Sequence, residues 1–242
     1  MHYYFITGTS RGIGKALAER ALEEANVQVV GFSRQQRIEH PHYTHHSLDL
    51  SNVDSLGSTA ETIFTKLPNA ERIVLINNAG TLGDVKYFGS LEDSKIDQLF
   101  SVNVTAPAIL MNHFIRAYQT AEAERIIINV SSGVSRYPVD GWSGYCASKA
   151  ALDMLSEVAA LELKEQNVQH FRVHAVAPGI VDTQMQTSIR DVDEQNFSRL
   201  QKFKDYKSEG ALDNPQQTAD KYFYLINHPT EFQEVRQDVR EF

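Results

Sequence analysis

The chain has 242 residues, of which 31 are acidic and 23 basic, with a formal net charge of −8 and one cysteine. The acidic balance disfavours nucleic acids and anionic membranes as partners, and a lone cysteine excludes an intramolecular disulfide. No apolar run approaches the roughly 18 residues of a membrane-spanning helix, and strand-like sequence begins at His2, where a signal peptide would lie. We therefore expect a cytoplasmic protein that does not rely on disulfides for its core.

The first predicted elements are a strand, a glycine-rich turn and a helix. A β-rich run over Tyr3–Thr7 leads into the turn, and a helical pattern follows over Lys15–Glu24. Glycines let the backbone approach a pyrophosphate, and the helix N-terminus offers free N–H groups. The glycine spacing differs from the commoner G-x-G-x-x-G, and such a turn can also occur without a ligand. In this context it favours a dinucleotide site formed by Gly8, Thr9, Ser10, Arg11, Gly12, Ile13 and Gly14.

The second predicted strand, Val27–Phe32, ends at Ser33 and Arg34. This is the place, about 20 residues past the glycine turn, where NAD-binding proteins carry an acid for the ribose 2′-hydroxyl. A hydroxyl and a guanidinium stand here instead. Arg34 and Arg11 can hold a 2′-phosphate through charge-assisted hydrogen bonds, which favours NADP(H) as the cofactor. The alternative is a pair of solvated arginines.

The histidine-rich stretch His40–His46 predicts a loop and a third strand. Adjacent strand residues point to opposite faces, and no cysteine or carboxylate cluster accompanies the histidines, so we expect no metal site. Asp49 and Leu50 follow this strand. They can contact an adenine ring, and Asp49 can also cap a helix that begins near Asn52.

The fourth strand is predicted over Glu71–Ile76, a buried type of strand. Small and amide residues follow it, as expected where a ligand lies at the carboxyl end of a central strand; they are Asn77, Asn78, Ala79 and Gly80. A long helix is predicted from Ser94 to about Tyr118. Pro107 lies inside it and frees backbone carbonyls, so we expect the helix to be distorted near Asn103.

The fifth strand, Arg125–Ser132, ends in hydroxyl residues, and the loop after it carries Tyr137 and Trp142 as aromatics expected to be exposed. A helix then carries Tyr145 and Lys149, which lie one turn apart on the same face. A neighbouring ammonium lowers the pKa of a phenol, and a phenol so tuned can transfer a proton. Taken alone, such a pair is more often an ordinary surface pair.

The rest of the chain completes an alternation of strands and helices. A sixth strand, Phe171–Ala177, is followed by Pro178–Thr183, and a polar stretch over 184–214 is expected to form a lid. A last helix is predicted over Pro215–Asn227 and an edge strand over Val235–Val239. The pattern predicts an α/β fold: one doubly wound parallel sheet of about seven strands with helices on both faces.

Several motifs in this order resemble the short-chain dehydrogenase/reductase family over nearly the whole chain. Ser132 lies 13 residues before Tyr145, a spacing typical of that family. The other motifs are Thr7-Gly8-x-x-x-Gly12-x-Gly14, Asn77-Asn78-Ala79-Gly80, Asn103, Tyr145-x-x-x-Lys149 and Pro178-Gly179. The resemblance implies a single-domain Rossmann fold over 1–242 and a homo-oligomer, dimer or tetramer, that pairs through its two long helices.

The resemblance also implies the roles of the site residues. Tyr145 would donate the proton to the developing alkoxide, and Ser132 would hydrogen-bond the carbonyl oxygen of the substrate. Lys149 would lower the pKa of Tyr145 and hold the nicotinamide ribose. Asn103 would hold a water in a proton relay. The residues implied in NADP(H) binding are the seven of the glycine turn with Ser33, Arg34, Asp49, Leu50, Asn78, Ala79, Gly80, Tyr145, Lys149, Pro178, Gly179, Val181 and Thr183.

Two stretches, 141–151 and 177–186, are similar to the sepiapterin reductase branch and its bacterial benzil reductase relatives. The branch implies a small vicinal dicarbonyl or aromatic, pterin-type ketone as substrate, in contact with Ser132 and Tyr145 and with Trp142, Met185 and Asp238. Asp238 would anchor a donor group such as a pterin amine, or it is a solvated acid at a strand end. A reductase of 3-oxoacyl thioesters and a non-enzymatic NADP(H) redox sensor remain as alternatives.

Overall fold

The computed structural model describes residues 1–242, in which strands and helices alternate along the chain. The strands are β1 His2–Thr7, β2 Val27–Ser33, β3 Tyr43–Ser47, β4 Arg72–Asn77, β5 Glu124–Val130, β6 Phe171–Ala177 and β7 Arg236–Asp238. The helices are α1 Gly12–Ala21, α2 Leu56–Ile63, α3 Asp93–Phe100, α4 Ala106–Tyr118, α5 Ser143–Glu165, α6 Gln184–Arg190, α7 Leu200–Ser208 and α8 Pro215–Asn227. No helix has the length and apolarity to cross a membrane.

All seven strands pair in parallel in one sheet, in the order β3-β2-β1-β4-β5-β6-β7. Central strands are buried on both faces, which explains continuous apolar runs such as Ile126–Ile128, all 0% exposed. One apolar cluster packs α1 and α8 against one face, and another packs α2, α4 and α5 against the other. The predicted fold, a doubly wound parallel sheet in a single Rossmann-type domain, is confirmed.

The functional edge of the sheet lies where the strand order reverses. The chain runs outward from β1 to β3 in one direction and from β4 to β7 in the other, so β1 and β4 are neighbours. In open α/β sheets, ligands bind in the crevice beyond the carboxyl ends of the strands at such a point. The glycine turn after β1 and the Asn-Asn-Ala-Gly segment that begins at the end of β4 therefore lie side by side.

A single hydroxyl joins these two segments. Thr7 Oγ1 accepts hydrogen bonds from the backbone N–H groups of Asn78 and Ala79, each at 2.9 Å. The Asn78 side chain donates back to the Thr7 carbonyl at 2.9 Å. Thr7 is buried, at 1% exposure, so water cannot replace these bonds. The cofactor-facing ends of β1 and β4 are thus fixed relative to each other.

The helix predicted over residues 94–118 is distorted at the predicted place. It divides into α3, a π-helical segment Ser101–Thr105 and α4. Pro107 lies in the first turn of α4, where its missing N–H costs nothing. Asn103 lies within the π-helical segment, and such segments often occur at functional sites.

Two helix starts differ from the sequence predictions. The first helix begins at Gly12 rather than Lys15 because the glycine turn itself enters the helix. The second begins at Leu56, so Asp49 does not cap it; the Asp49 carboxylate accepts bonds from the backbone and side chain of Ser51 instead. The stretch 184–214, predicted to be a polar lid, contains α6, α7 and one short 3₁₀ turn.

We predict that Thr7→Val lowers the free energy of unfolding by about 2 kcal/mol, because two buried backbone N–H groups lose their acceptor while the side-chain shape is kept. Urea denaturation measures the change. Thr44→Val is the matched control, since Thr44 lies exposed on β3 and its side chain makes no hydrogen bond. It should change stability by less than about 0.5 kcal/mol. Equal losses in the two variants would contradict the role assigned to Thr7.

Candidate active site

Tyr145 and Lys149 lie in the first two turns of α5, as predicted, and both are buried, at 8% and 4% exposure. The Lys149 Nζ donates to the carbonyl of Val130, the last residue of β5, at 2.8 Å. It lies 5.8 Å from the centroid of the Tyr145 ring. The two side chains therefore lie in the protein interior at the carboxyl edge of the sheet, and they do not form a pair exposed to solvent.

Burial sets the protonation of both groups. It raises the pKa of Tyr145 to about 12, and hydrogen bonding by Ser132 opposes this rise. Burial lowers the pKa of Lys149 to about 8, and the Asp153 carboxylate opposes this fall. The net shift of the Tyr145 pKa is opposite to the one predicted, because desolvation of the phenolate dominates. The part that Lys149 plays in stabilising the phenolate stays a prediction. At neutral pH the phenol keeps its proton and the ammonium keeps its charge.

Ser132 lies directly after β5 and caps a short 3₁₀ turn, where its Oγ accepts from the backbone N–H of Val134 at 3.5 Å. Ser132 and Tyr145 line the same cavity. The neighbouring Ser131 also lines this cavity, but its hydroxyl donates to the Asp153 carboxylate. The Ser132 hydroxyl is therefore the one that hydrogen-bonds the phenol, whereas the Ser131 hydroxyl is held by Asp153.

Asn103 is 1% exposed, and both polar atoms of its amide are bonded to the protein. Its Nδ2 donates to the Thr81 carbonyl at 2.8 Å and to Ser148 Oγ at 3.0 Å, and its Oδ1 accepts from the Thr81 N–H at 2.8 Å. Both Asn103 Oδ1 and Lys149 Nζ lie close to Gly80. If Gly80 carried a Cβ, that atom would be 3.4 Å from Oδ1 and 3.6 Å from Nζ. Asn103 therefore lies beside Lys149 and ties the loop after β4 to α5. Its role in a water relay stays a prediction.

The glycine turn has the features that a pyrophosphate site needs. Gly8 and Gly12 have φ of 76° and 57°, in the left-handed region that favours glycine. No side chain caps the N-terminus of α1, and no acid lies in its first turn, so its N–H groups are free to bind an anion. The Thr9 side chain does not face this turn: it is 1% exposed and its hydroxyl bonds the Tyr43 hydroxyl at 2.8 Å.

The residues predicted to select the cofactor lie at the end of β2. Arg34 is exposed, and neither it nor Arg11 forms a salt bridge with an acid of the chain. The buried Ser33 Oγ donates to the backbone carbonyl of Gln35 at 2.8 Å. Bonds from Ser51 lower the pKa of Asp49, and the Arg34 guanidinium contributes to the same effect, so Arg34 and Asp49 lie at one place. Leu50, 8% exposed, lies beneath them.

The other predicted cofactor contacts lie on the opposite side of the crevice, in the segment after β6. A Cβ on Gly12 would stand 3.3 Å from the Thr183 Cγ2, so this segment contacts the glycine turn. It also lines the cavity beside Tyr145, with Pro178, Gly179, Val181 and Thr183. The residues therefore fit an extended dinucleotide that runs from Arg34, across the glycine turn, to Tyr145.

The cavity beside Tyr145 has a volume of about 310 Å³, and α6 and α7 form much of its wall. Two of the predicted substrate contacts, Trp142 and Met185, line it. Trp142 was expected to be exposed but is 5% exposed, because its indole stacks on Phe197 with ring centroids 5.0 Å apart. Phe197 lies behind Trp142 at 1% exposure and does not line the cavity.

Asp238 is placed differently from the other predicted substrate contacts. It is 5% exposed and does not line the cavity. Its Oδ1 accepts from the backbone N–H and the Nε of Arg240 at 3.0 and 2.8 Å, and its Oδ2 accepts from the same guanidinium. Arg240, which the sequence analysis did not single out, lines the cavity instead. The only sequence signal for it is its position two residues after Asp238.

No group of three or more His, Cys, Asp and Glu side chains comes together in a form that could hold a metal ion. The polar atoms at the site are hydroxyl, phenol, amide and ammonium groups, which position ligands and transfer protons.

Comparisons with known proteins agree with this geometry. The family model described as short chain dehydrogenase matches residues 3–194. The chain is 31% identical to a benzil reductase ((S)-benzoin forming) of Bacillus subtilis (strain 168) over 100% of both chains. It is 34% identical to a sepiapterin reductase of Mus musculus, over 93% of this chain and 91% of that one. Among solved structures, the KRED1-Pglu enzyme has a TM-score of 0.81 at 29% identity, over 93% of this chain and 94% of that one.

Members of this family bind a nicotinamide cofactor and act on CH–OH and C=O groups. The sheet order, the glycine turn and the cluster of Ser132, Tyr145 and Lys149 are in place here. This chain is an oxidoreductase that belongs to the short-chain dehydrogenase family, in the branch of the benzil and sepiapterin reductases.

Proposed function

We propose that the chain is a cytoplasmic, NADPH-dependent reductase of small aromatic ketones, above all of vicinal dicarbonyl compounds. The observation that carries this proposal is one cavity lined by both Ser132 and Tyr145, with Lys149 buried behind the phenol. Relatives with reductase names at 31% and 34% identity support the same reaction class.

The side chains divide the work of reduction. Ser132 donates a hydrogen bond to the substrate carbonyl oxygen and stabilises the negative charge that develops on it. Tyr145 then gives its proton to that oxygen, and the charged Lys149 stabilises the phenolate that is left. Asn103 holds the loop and helix that position Lys149, through its bonds to Thr81 and Ser148. When bound, the reduced nicotinamide supplies the hydride.

The cavity wall supports a substrate with a second polar group. Trp142 Nε1 and Gln186 Oε1 belong to cavity-lining residues that are 5% and 7% exposed, and neither atom has a hydrogen-bond partner. An unpaired buried polar atom costs about 1–3 kcal/mol, so a substrate that pairs with one of them gains affinity. An oxygen on the body of the substrate can accept from the Trp142 N–H. In this proposal α6 and α7 close over the bound substrate as a lid.

The outer face of α5 supports a homo-oligomer. Met154, Val158 and Leu161 are 53%, 41% and 56% exposed and recur at helical spacing along this face. A second copy that packs its α5 against this face would cover all three. The pairing would leave the cavity beside Tyr145 open.

The reductase proposal predicts consumption of NADPH with benzil or 1-phenyl-1,2-propanedione. Tyr145→Phe, which removes only the phenol hydroxyl, should lower kcat by at least about 10²-fold while the circular dichroism spectrum stays native. Tyr87→Phe is the control, because Tyr87 is 46% exposed and lies outside the cavity. Good turnover of acetoacetyl thioesters without turnover of any 1,2-dicarbonyl would contradict the proposal and favour a reductase of 3-oxoacyl thioesters.

The cofactor preference predicts that Arg34→Ala raises the KM for NADPH by about tenfold or more, because a charge-assisted bond to the 2′-phosphate is lost. The KM for NADH should change little. Arg37→Ala is a matched control: Arg37 is exposed three residues later and donates to Gln35 Oε1 at 2.7 Å. Equal use of NADPH and NADH by the native protein would refute the preference.

Burial of Lys149 predicts how the reduction depends on pH. With a Lys149 pKa of about 8, kcat/KM for ketone reduction should be level near neutral pH and fall by about tenfold per unit above about pH 8, as the ammonium loses its proton. The Asp153 carboxylate raises that pKa. Asp153→Asn removes the charge and keeps an acceptor for Ser131, so the fall should move to lower pH. A profile that moves to higher pH, or stays in place, would contradict this account.

A further inference from the structure

The cavity beside Tyr145 differs in charge from the rest of the chain. The charged residues in its lining are Arg199, Lys202 and Arg240, and no Asp or Glu is among them. In the whole chain, acidic residues outnumber basic ones by 31 to 23. Like charges on one concave wall concentrate ligands of the opposite charge. The cavity therefore selects for negative charge although the protein as a whole is acidic.

Arg240 lies close to the reacting groups and is held in place. Its Nη2 lies 3.8 Å from the point where a Cβ on Gly133, the residue after Ser132, would stand. Asp238 binds the Nε and Nη2 sides of the guanidinium, whereas Nη1 donates to no acceptor in the protein. A guanidinium fixed on one side by a buried acid keeps free donors on its other side, and the Arg240 side chain as a whole is 60% exposed.

Arg199 and Lys202 extend the positive wall and have no acidic partner. Neither forms a salt bridge within the chain. The Arg199 guanidinium carbon lies 5.7 Å from the centroid of the Tyr137 ring. The Tyr137 hydroxyl in turn lies 3.9 Å from the same Gly133 point that Arg240 approaches. The two arginines thus flank one aromatic ring at the cavity.

We propose that this wall is a subsite for a carboxylate and that the substrate is an aryl 2-oxo acid. This inference rests on the proposed function and narrows it, because a 2-oxo acid is a vicinal dicarbonyl with one charged member. The ketone oxygen lies at Ser132 and Tyr145, and the adjacent carboxylate lies at Arg240. The reduced nicotinamide, when bound, would supply the hydride for the ketone carbon and become NADP⁺. Tyr145 gives a proton to the ketone oxygen and regains one from solvent, so that the product is a 2-hydroxy acid. The carboxylate is unchanged.

The same geometry disfavours a substrate that binds through an amine. Asp238 is 5% exposed and already accepts three hydrogen bonds from Arg240, so little of its carboxylate is open to an amine. The amine would also approach a wall that carries three positive side chains and no negative one. Charge of the wrong sign at a binding site disfavours a ligand through repulsion and unpaired groups.

Binding can be measured without turnover, because Trp142 is the only tryptophan of the chain and lines the cavity. Its fluorescence should respond to titration with mandelate and with mandelamide, which has nearly the same shape and no charge. We expect mandelate to bind at least about tenfold more tightly in low salt, since a charged hydrogen bond contributes about that factor. The difference should shrink in about 1 M NaCl, where charges are screened over a few ångströms.

Variants assign the preference to named side chains. The double variant Arg199→Gln/Lys202→Gln leaves the Asp238–Arg240 pair intact, whereas Arg240→Met removes the nearest cation. In each, the ratio of kcat/KM for phenylglyoxylate to that for its methyl ester should fall by about tenfold. Lys204→Gln is the control, since Lys204 is exposed on α7 and does not line the cavity; it should leave the ratio unchanged.

Equal affinity for mandelate and mandelamide would overturn the subsite, and so would a preference that survives both the double variant and Arg240→Met. Turnover of benzil and of the methyl ester, with none of phenylglyoxylate, would also overturn it and leave the reductase proposal intact. If no ketone is reduced but mandelate still binds more tightly than mandelamide, the subsite stands and the reductase proposal fails.

Discussion

The buried ammonium of Lys149 is the constraint on which the site depends. A 4% exposed lysine has lost its hydration, and one hydrogen bond to the Val130 carbonyl replaces only part of it. That bond joins α5 to the end of β5, next to Ser132. The same desolvation raises the pKa of Tyr145 to about 12 and lowers that of Lys149 to about 8. Both values lie above neutral pH, so both groups are protonated there. The low-dielectric interior thus holds a protonated phenol, which can donate its proton, beside the positive charge of Lys149.

Much of the fold could be predicted because its strands are short apolar runs bounded by turn residues. The predicted bounds of β6 and α8 agree with the structure at every end residue. The starts of α1 and α2 could not be predicted from caps. Arg11 is not one of the usual N-cap residues, and Ser55, which is one, makes no side-chain cap bond, so neither start follows the usual capping pattern. Tertiary packing decides these ends.

The site could be predicted in part. The spacing of Tyr145 and Lys149 fixes their common helical face, and the resemblance to a family adds Ser132. The direction of the Tyr145 pKa could not be predicted, since it depends on how deeply a folded chain buries the phenol. The stacking of Trp142 on Phe197 joins residues 55 positions apart, and the bonds of Asn103 to Thr81 and Ser148 join three separate segments. No local pattern contains such information.

The pair formed by Asp238 and Arg240 shows how a small change in sequence can set the charge that a substrate meets. β7 ends at Asp238, and the 3₁₀ turn that follows brings the Arg240 guanidinium back over the carboxylate. An acid alone at this position would present negative charge to the cavity. With an arginine two residues later, the buried carboxylate holds the guanidinium through hydrogen bonds. The charge at the cavity wall is then positive instead of negative. The charge that this wall presents therefore depends on the two residues together, and the identity of Asp238 by itself does not determine it.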